Sequence, residues 1–270
     1  MSKRNNQSAK TAARERLRAE RERQAKRDKK KRQIIVACSV VAVLAAAGGI
    51  GYAVVQANKP TGWDAAKNKP LVKPAHTTGT NGTTVLIGKS TAKKTLTIYE
   101  DPRCPICAQF EQSVGPEVKK YVDEGKFKLR FVGATFLDDN LPGVGSKNAL
   151  SALGAALNVS PEAFLEYKSA MYSTKWHPEE TDDKFKDDSY LLKIADTVPT
   201  LKGNAAFQKA VKDGTYDHWA LEESKIFNKD GIQGTPTLKM DGKTLTGSDG
   251  KNPPSTAAEF DKVVDAALKG

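Results

Sequence analysis

Residues 94–107 read KTLTIYEDPRCPIC, and the two cysteines that close this stretch decide how the chain is interpreted. Residues 94–99 alternate in the manner of a β-strand, whereas apolar residues recur at helical spacing after Cys107. Cys104 therefore lies where a strand turns into a helix, and Pro105 suits the first helical position. The free N–H groups and the positive pole of that helix favour the thiolate form of Cys104.

The spacing of Cys104 and Cys107 favours a redox couple over a structural disulfide or a metal site. A bridge across two residues closes a very short loop and stabilises a fold by only about 2 kcal/mol. A zinc site needs two more soft ligands, and the third cysteine, Cys38, lies in an apolar segment near the N-terminus. Cys107, one turn into the helix, is expected to be the more buried, resolving thiol. The structural and metal interpretations stay open as alternatives.

Residues 100–107, EDPRCPIC, resemble the Asp-x-x-Cys-Pro-x-Cys pattern of DsbA-like proteins in the thioredoxin superfamily. The likeness is to the membrane-anchored or lipid-anchored proteins of Gram-positive bacteria. Residues 231–237, GIQGTPT, resemble that family's Gly-Thr-Pro-Thr segment, whose proline is cis. The resemblance covers about residues 82–270. It implies that Thr235 and Pro236 face the cysteine pair and offer backbone to an extended substrate peptide.

The implied fold class is α/β, a thioredoxin fold with an inserted helical subdomain, preceded by one transmembrane helix. Hydrophobic periodicity predicts helices through the insertion, at about 144–230. The predicted helices there are 149–157, 161–172, 189–198, 205–213 and 218–227. The strands predicted before and after it are 83–87, 94–99, 127–136, 237–240 and 243–247, and a closing helix is predicted near 255–268.

Two positions depart from the family pattern. Ile106 stands where the enterobacterial DsbA proteins have a histidine that helps to hold the thiolate, and an isoleucine side chain can neither donate a hydrogen bond nor carry charge. Ile98 stands where thioredoxins carry a buried acid. Glu100 and Asp101 lie nearer to the cysteines, and two roles stay open for them: proton transfer, or simple solvation at the end of the strand.

The net charge of +11 is concentrated at the N-terminus. Residues 1–32 contain 14 Lys or Arg and 4 Asp or Glu, so the rest of the chain is nearly neutral. A nucleic-acid surface on the main domain is therefore not expected. We interpret residues 1–33 as a basic cytoplasmic tail, with an RNA-binding tail as the alternative.

Residues 34–57 are 24 uncharged residues, long enough to cross a bilayer, and they predict one transmembrane helix. The basic residues before this span place the N-terminus in the cytoplasm and the rest of the chain outside. We expect a retained single-pass anchor in the cell membrane, and a cleaved signal peptide is the alternative. Residues 58–81, rich in Lys, Pro, Gly, Thr and Asn, are predicted to be a flexible linker to the domain at 82–270.

These features predict a membrane-tethered, extracytoplasmic protein thiol–disulfide oxidoreductase. Cys104 and Cys107 are the expected catalytic pair, and Pro105 and Ile106 complete the active-site motif. The disulfide of this pair carries the electrons, so neither an organic cofactor nor a metal is expected. The leading hypothesis is an oxidase of secreted proteins with cysteines, and the resemblance implies a quinone-linked membrane partner. The alternatives are a reductase or isomerase, for example for cytochrome apoprotein thiols, and a non-enzymatic binding module or metallochaperone.

Overall fold

The structure is a computed structural model that describes residues 62–269. The predicted basic tail at 1–33, the predicted transmembrane helix at 34–57 and the start of the predicted linker lie outside the described residues. Among residues 62–269, none of the helices combines the length and the apolar composition needed to cross a bilayer.

The elements of the described part alternate between strands and helices in the order expected for a thioredoxin fold with an insertion. In chain order they are α1 (Gly62–Ala66), β1 (Thr77–Thr78), β2 (Thr84–Ile87), β3 (Lys94–Glu100), α2 (Pro105–Glu124), β4 (Phe127–Gly133), α3 (Leu137–Asn140), α4 (Gly145–Val159), α5 (Pro161–Tyr172), α6 (Asp188–Ala195), α7 (Ala205–Asp213), α8 (Asp217–Lys229), β5 (Thr237–Met240), β6 (Lys243–Leu245) and α9 (Ala257–Lys269). Short 3₁₀ turns lie at Thr80–Gly82 and Lys184–Lys186.

The strands form one mixed sheet in the order β1-β2-β4-β3-β5-β6. β3 pairs in parallel with β4, from Lys94 opposite Phe127 to Glu100 opposite Gly133, and the other neighbours are antiparallel. A parallel pair needs a crossover connection, which α2 supplies. The inner position of β3 places its carboxyl end, where the cysteine motif begins, in the middle of the sheet.

The main core joins the sheet and α2 to the helices of the insertion and to α9. Leu96 and Ile98 of β3 are almost completely buried in one cluster with Val114 and Val118 of α2. Each such side chain contributes about 1.5–3 kcal/mol by leaving water. This packing holds the start of α2 against the end of β3.

The helical insertion is confirmed, because α4 to α8 lie between β4 and β5. The bounds predicted for α5 and α7 agree with the structure, since polar caps mark both starts. The Ser160 and Asn204 side chains accept hydrogen bonds from Ala163 N–H and Phe207 N–H, each at 3.0 Å. β4 ends at Gly133, three residues before the predicted end, because the chain then turns into α3.

Residues 62–81 differ from the flexible linker predicted there. Trp63 and Leu71 pack against the hydrophobic core, and Ala66 is fully buried. The indole N–H of Trp219 donates to the carbonyl of Gly82 at 2.8 Å, which ties the end of this segment to α8. The structure corrects the expectation for 62–81, because its scattered apolar residues are sufficient to dock it on the domain.

A substitution at Gly133 tests the contact between β4 and the insertion. A Cβ atom there would meet the buried Leu150 side chain and would lie 2.9 Å from a carboxylate oxygen of Glu223. We expect Gly133→Ala to lower the free energy of unfolding by about 1–3 kcal/mol, because the added methyl group has no space beside Leu150 and Glu223. Denaturant titration measures the change, with Gly62→Ala as the control, since Gly62 faces open space. Equal midpoints for the two variants would contradict this account of the contact.

Candidate active site

The cysteine pair lies at the junction of β3 and α2, as the sequence predicts. Cys104 is the capping residue of α2, with extended backbone angles (φ −72°, ψ 117°), and Pro105 follows in the first turn. The Cys104 N–H donates to the carbonyl of Asp101 at 3.0 Å, which closes the turn from strand to helix. Cys104 and Cys107 are both free thiols in this structure.

Hydrogen bonds at the start of α2 lower the pKa of Cys104 to about 6. The largest contribution comes from the thiol of Cys107, which donates to the Cys104 sulfur. Burial opposes the shift, and the Thr235 side chain and the backbone N–H groups of Cys107 and Ile106 reinforce it. These donors stabilise the thiolate more than the thiol. Cys104 is therefore largely ionised at neutral pH.

Cys107 has the opposite character. Its side chain is completely buried, and this burial raises the pKa of the Cys107 thiol well above the ordinary value. The hydrogen bond to Cys104 and the charge of Glu100 act in the same direction. The pair thus joins one sulfur that readily ionises to one that keeps its proton.

The Thr235–Pro236 peptide bond is cis, which confirms the prediction from the family pattern. The Cys104 sulfur lies 3.5 Å from the carbonyl oxygen of Thr235, to which it donates when it is protonated. The buried Thr235 hydroxyl has no hydrogen-bond partner among the described residues, so it is free to donate to a thiolate. The structure therefore brings Thr235 and Pro236 to the cysteine pair across 131 residues of sequence separation.

Ile106 is half exposed, with 51% of its surface accessible, beside the loop that carries Pro236. Two neighbouring hollows share Ile106, Pro236, Asn252 and Pro253 in their walls. One hollow extends to Phe110 of α2, and the other extends along β5 and β6. The hollow that reaches Phe110 is mainly apolar, whereas the hollow along β5 and β6 is lined by polar and apolar residues alike.

Glu100 is fully buried, so solvation at the strand end is wrong for this residue. Its carboxylate accepts a hydrogen bond from the ammonium group of Lys168 at 3.0 Å, and the same ammonium donates to Glu111 at 2.5 Å. Glu111 can fold back along its helix because Gly115 has no side chain, and a Cβ there would lie 2.7 Å from the carboxyl carbon. β3, α2 and α5 thus each supply one charge to a buried cluster.

Burial raises the pKa of Glu100 to about 7, although the charge of Lys168 opposes the shift. The negative charges of Glu111 and of a Cys104 thiolate add to the rise. The second carboxylate oxygen of Glu100, Oε1, is buried without a hydrogen-bond partner within the described structure. Glu100 is a buried acid whose pKa lies near neutral pH and whose charge raises the pKa of the Cys107 thiol, which makes it the candidate proton donor and acceptor for that thiol.

Asp101 is also fully buried, but its carboxylate is occupied. It accepts hydrogen bonds from the backbone N–H groups of Arg103 and Leu137 and from the hydroxyl of Ser146, at 3.0, 3.1 and 2.6 Å. Burial raises the pKa of Asp101 to about 7, which these three donors oppose. Because its carboxylate is fully hydrogen-bonded, Asp101 fixes the shape of the loop. Glu100, by contrast, keeps one carboxylate oxygen without a hydrogen bond within the described structure.

Sequence reasoning missed Lys168 and Glu111. Glu111 follows Cys107 by four residues and so lies on the same face of α2, which is a signal that could have been used. Lys168 lies on a predicted amphipathic helix, and nothing in its local sequence marks it as buried. Among residues 62–269, no group of three or more His, Cys, Asp or Glu side chains is placed to hold a metal ion.

Comparison with known proteins agrees with this geometry. The family model described as thioredoxin matches residues 80–266. Disulfide bond formation protein D of Bacillus subtilis is 26% identical over 213 residues, which cover 77% of this chain and 84% of that protein.

Two solved structures share the fold. The crystal structure of oxidised BdbD from Bacillus subtilis has a TM-score of 0.57 at 21% identity, covering 74% of this chain and 100% of that one. Oxidised DsbA of Mycobacterium tuberculosis has a TM-score of 0.55 at 23% identity, covering 69% of this chain and 98% of that one. With the family model, the cysteine pair and the cis-proline loop all in agreement, the chain belongs to the thioredoxin family and is a DsbA-like thiol–disulfide oxidoreductase within it.

Proposed function

We propose that this protein is a membrane-tethered, extracytoplasmic oxidase that introduces disulfides into secreted proteins. The observation that carries the proposal is the contrast between a Cys104 sulfur with a pKa of about 6 and a buried Cys107 that keeps its proton. A stabilised thiolate makes the reduced enzyme favourable and its disulfide oxidising. The relative named for disulfide bond formation supports the same direction.

The reaction begins with the Cys104–Cys107 disulfide. A substrate thiolate attacks the Cys104 sulfur, the bond between the two enzyme sulfurs breaks, and Cys107 leaves as a thiolate. A second substrate thiolate then attacks the substrate sulfur of the mixed disulfide and releases Cys104 as a thiolate. The substrate has lost two electrons, and the enzyme has gained them as a dithiol.

Glu100 supplies the proton that Cys107 needs. A thiolate at the buried Cys107 position is unfavourable, so its departure from the disulfide is assisted by protonation. Glu100 has a pKa of about 7 and a free carboxylate oxygen, which suits it to donate in this direction and to accept in the reverse one. Lys168 and Glu111 keep the carboxyl group in place through their hydrogen bonds.

The substrate binds as an extended strand over the cis-proline loop. Thr235 and Pro236 form one edge of the groove, and the exposed Ile106 side chain forms part of its wall. The backbone of Thr235 is the docking edge for the substrate backbone, as the family resemblance implies. The apolar wall formed by Ile106, Phe110 and Pro236 favours an unfolded segment around a cysteine over a charged surface patch.

The proposed location rests on the sequence before residue 62. The uncharged span at 34–57 and the basic block before it support a retained anchor, with the domain at 82–270 outside the membrane. A tethered oxidase must pass two electrons onward after each cycle. A quinone-linked membrane protein is the partner that we propose for this step.

Two other functions remain as defined alternatives. A reductase, for example for cytochrome apoprotein thiols, would use the same residues in the opposite direction, with a redox partner that supplies electrons to the pair. A binding module or metallochaperone would keep its partner after both cysteines are replaced by serine.

The roles of the two sulfurs can be tested by single replacements. We expect Cys104→Ser to abolish disulfide exchange, because the remaining Cys107 is completely buried. Cys107→Ser should accumulate mixed disulfides with substrate proteins, since the resolving thiol is absent. Non-reducing gel electrophoresis with and without reductant measures the trapped species. If both variants accumulate equal amounts of mixed disulfide, the assignment of Cys104 as the attacking sulfur and Cys107 as the resolving sulfur is wrong.

Glu100→Gln tests the proton step. We expect the oxidised variant to react with a reduced peptide about 10–100-fold more slowly below pH 7, because a general acid has been lost. The ratio of unmodified to variant rates should fall as pH rises through about 7, where Glu100 itself loses its proton. Glu223→Gln is the matched control, since Glu223 is also a fully buried acid but accepts from Gly133 N–H and takes no part in the Lys168 cluster. Equal slowing by Glu223→Gln, or a ratio that does not change with pH, would contradict the role of Glu100.

Thiol labelling of intact cells tests location and direction together. In a Cys38→Ser chain, an impermeant maleimide should label the pair only after an impermeant reductant is added, because an extracytoplasmic oxidase rests as a disulfide. Labelling without reductant would identify a reductase outside the membrane. Labelling that requires permeabilised cells would overturn the proposed location.

A further inference from the structure

The loop 101–103 before Cys104 is held by buried charges that the reaction does not use. Asp101 saturates its carboxylate with three hydrogen bonds, one of which comes from Ser146 in the helical insertion. The carbonyl of Asp101 accepts from the hydroxyl of Tyr172 at 3.1 Å, and the carbonyl of Pro102 lies 3.0 Å from His177 Nε2. The insertion therefore binds this loop through side chains as well as backbone.

Arg103 makes the most extensive of these contacts. Only 1% of its side chain is exposed, although it immediately precedes the reactive cysteine. Its guanidinium donates to Asp138 at 3.0 Å and to the carbonyl of Glu180 at 2.9 Å, and its Nε lies 3.6 Å from Asp183. A planar group that donates to two acceptors at fixed angles, beside a third oxygen of opposite charge, is a property of arginine that lysine lacks.

The two carboxylates that pair with Arg103, Asp138 and Asp183, are themselves held by the start of α4. Asp138 accepts from the N–H groups of Ser146 and Lys147, at 3.0 and 2.9 Å. Asp183 accepts from the N–H groups of Val144 and Gly145, at 3.1 and 2.9 Å. Both carboxylates thus occupy free donors at the N-terminus of α4 while they bind Arg103.

We propose that Arg103, through Asp138 and Asp183, is the positioning residue that holds the Cys104 sulfur at the N-terminus of α2. The helical insertion then controls the reactivity of a cysteine that lies outside it. This inference rests on the proposed function only in taking Cys104 as the attacking sulfur.

Stability alone is a weak reason for such a network. Burying the Arg103 guanidinium and the Asp138 carboxylate carries a large desolvation cost, which ion pairing offsets only when the geometry is good. Cys104 Sγ needs close N–H donors to hold a charge, and a small displacement of residues 101–103 would lengthen those hydrogen bonds. A rigid bridge from the insertion to Arg103 prevents that displacement.

Arg103→Lys keeps the positive charge but loses the planar guanidinium group, so it tests whether the geometry of the hydrogen bonds matters as well as the charge. We expect the Cys104 pKa to rise from about 6 by about one unit in this variant, as the helix donors lose their alignment. The disulfide should become correspondingly less oxidising in a glutathione equilibrium. The pH dependence of thiolate absorbance in the reduced protein measures the pKa.

Asp183→Asn tests whether the Cys104 pKa rises or falls when the contact with Arg103 is weakened. Removal of a negative charge would by itself lower the Cys104 pKa, whereas a looser bridge raises it. We expect a rise. Glu223→Gln is the matched control, because Glu223 is a fully buried acid that accepts from Gly133 N–H, so its loss should affect stability but leave the Cys104 pKa unchanged.

The outcomes are distinct. An unchanged pKa in Arg103→Lys, or a lowered one in Asp183→Asn, would overturn the positioning role. An equal rise in Glu223→Gln would reduce it to a general effect of destabilisation. An unmodified protein that lacks an acidic thiol or fails to exchange disulfides would instead refute the proposed function, and it would do so before any variant is compared.

Discussion

The Cys104 sulfur can hold a negative charge because it lies at the start of α2, where the Cys107 thiol and the backbone N–H groups of Cys107 and Ile106 donate hydrogen bonds to it. One turn later, Cys107 is sealed from water, and burial there has the opposite effect. The same helix thus makes one thiol acidic and the other resistant to ionisation. The disulfide chemistry depends on this asymmetry, which is a matter of position and not of residue type.

The structure around the pair can be understood as the support for that asymmetry. The core between the sheet and α2 fixes the helix axis, and the cis-proline loop closes one side of Cys104 with the carbonyl of Thr235. Beneath the pair, Glu100 shares Lys168 with Glu111, so an acid with a pKa of about 7 is kept close to Cys107. Groups of this kind are costly to bury, and their concentration near one pair of sulfurs is typical of a functional site.

Sequence reasoning succeeded where a local signal decides the structure. The bounds of α5 and α7 were predictable because Ser160 and Asn204 are caps, and a cap acts on N–H groups only two or three residues away. It failed at residues 62–81, where Trp63 and Leu71 dock on a surface built by distant residues. Composition in that segment suggested a flexible chain, since it says nothing about the partner to which a few apolar residues will bind.

The sequence by itself determined the strand–helix junction, the redox pair within it and the insertion of helices between two parts of one sheet. Those features depend on the spacing of residues within about twenty positions of each other. Hydrophobic periodicity and the cysteine motif therefore predict them directly. Only the tertiary structure decided that Glu100 and Asp101 are buried and have different partners, and that Arg103 is enclosed by Asp138 and Asp183. The physical reason is that burial and charge pairing arise between α2, α5 and the segment before α6, which meet only when the insertion folds onto the sheet.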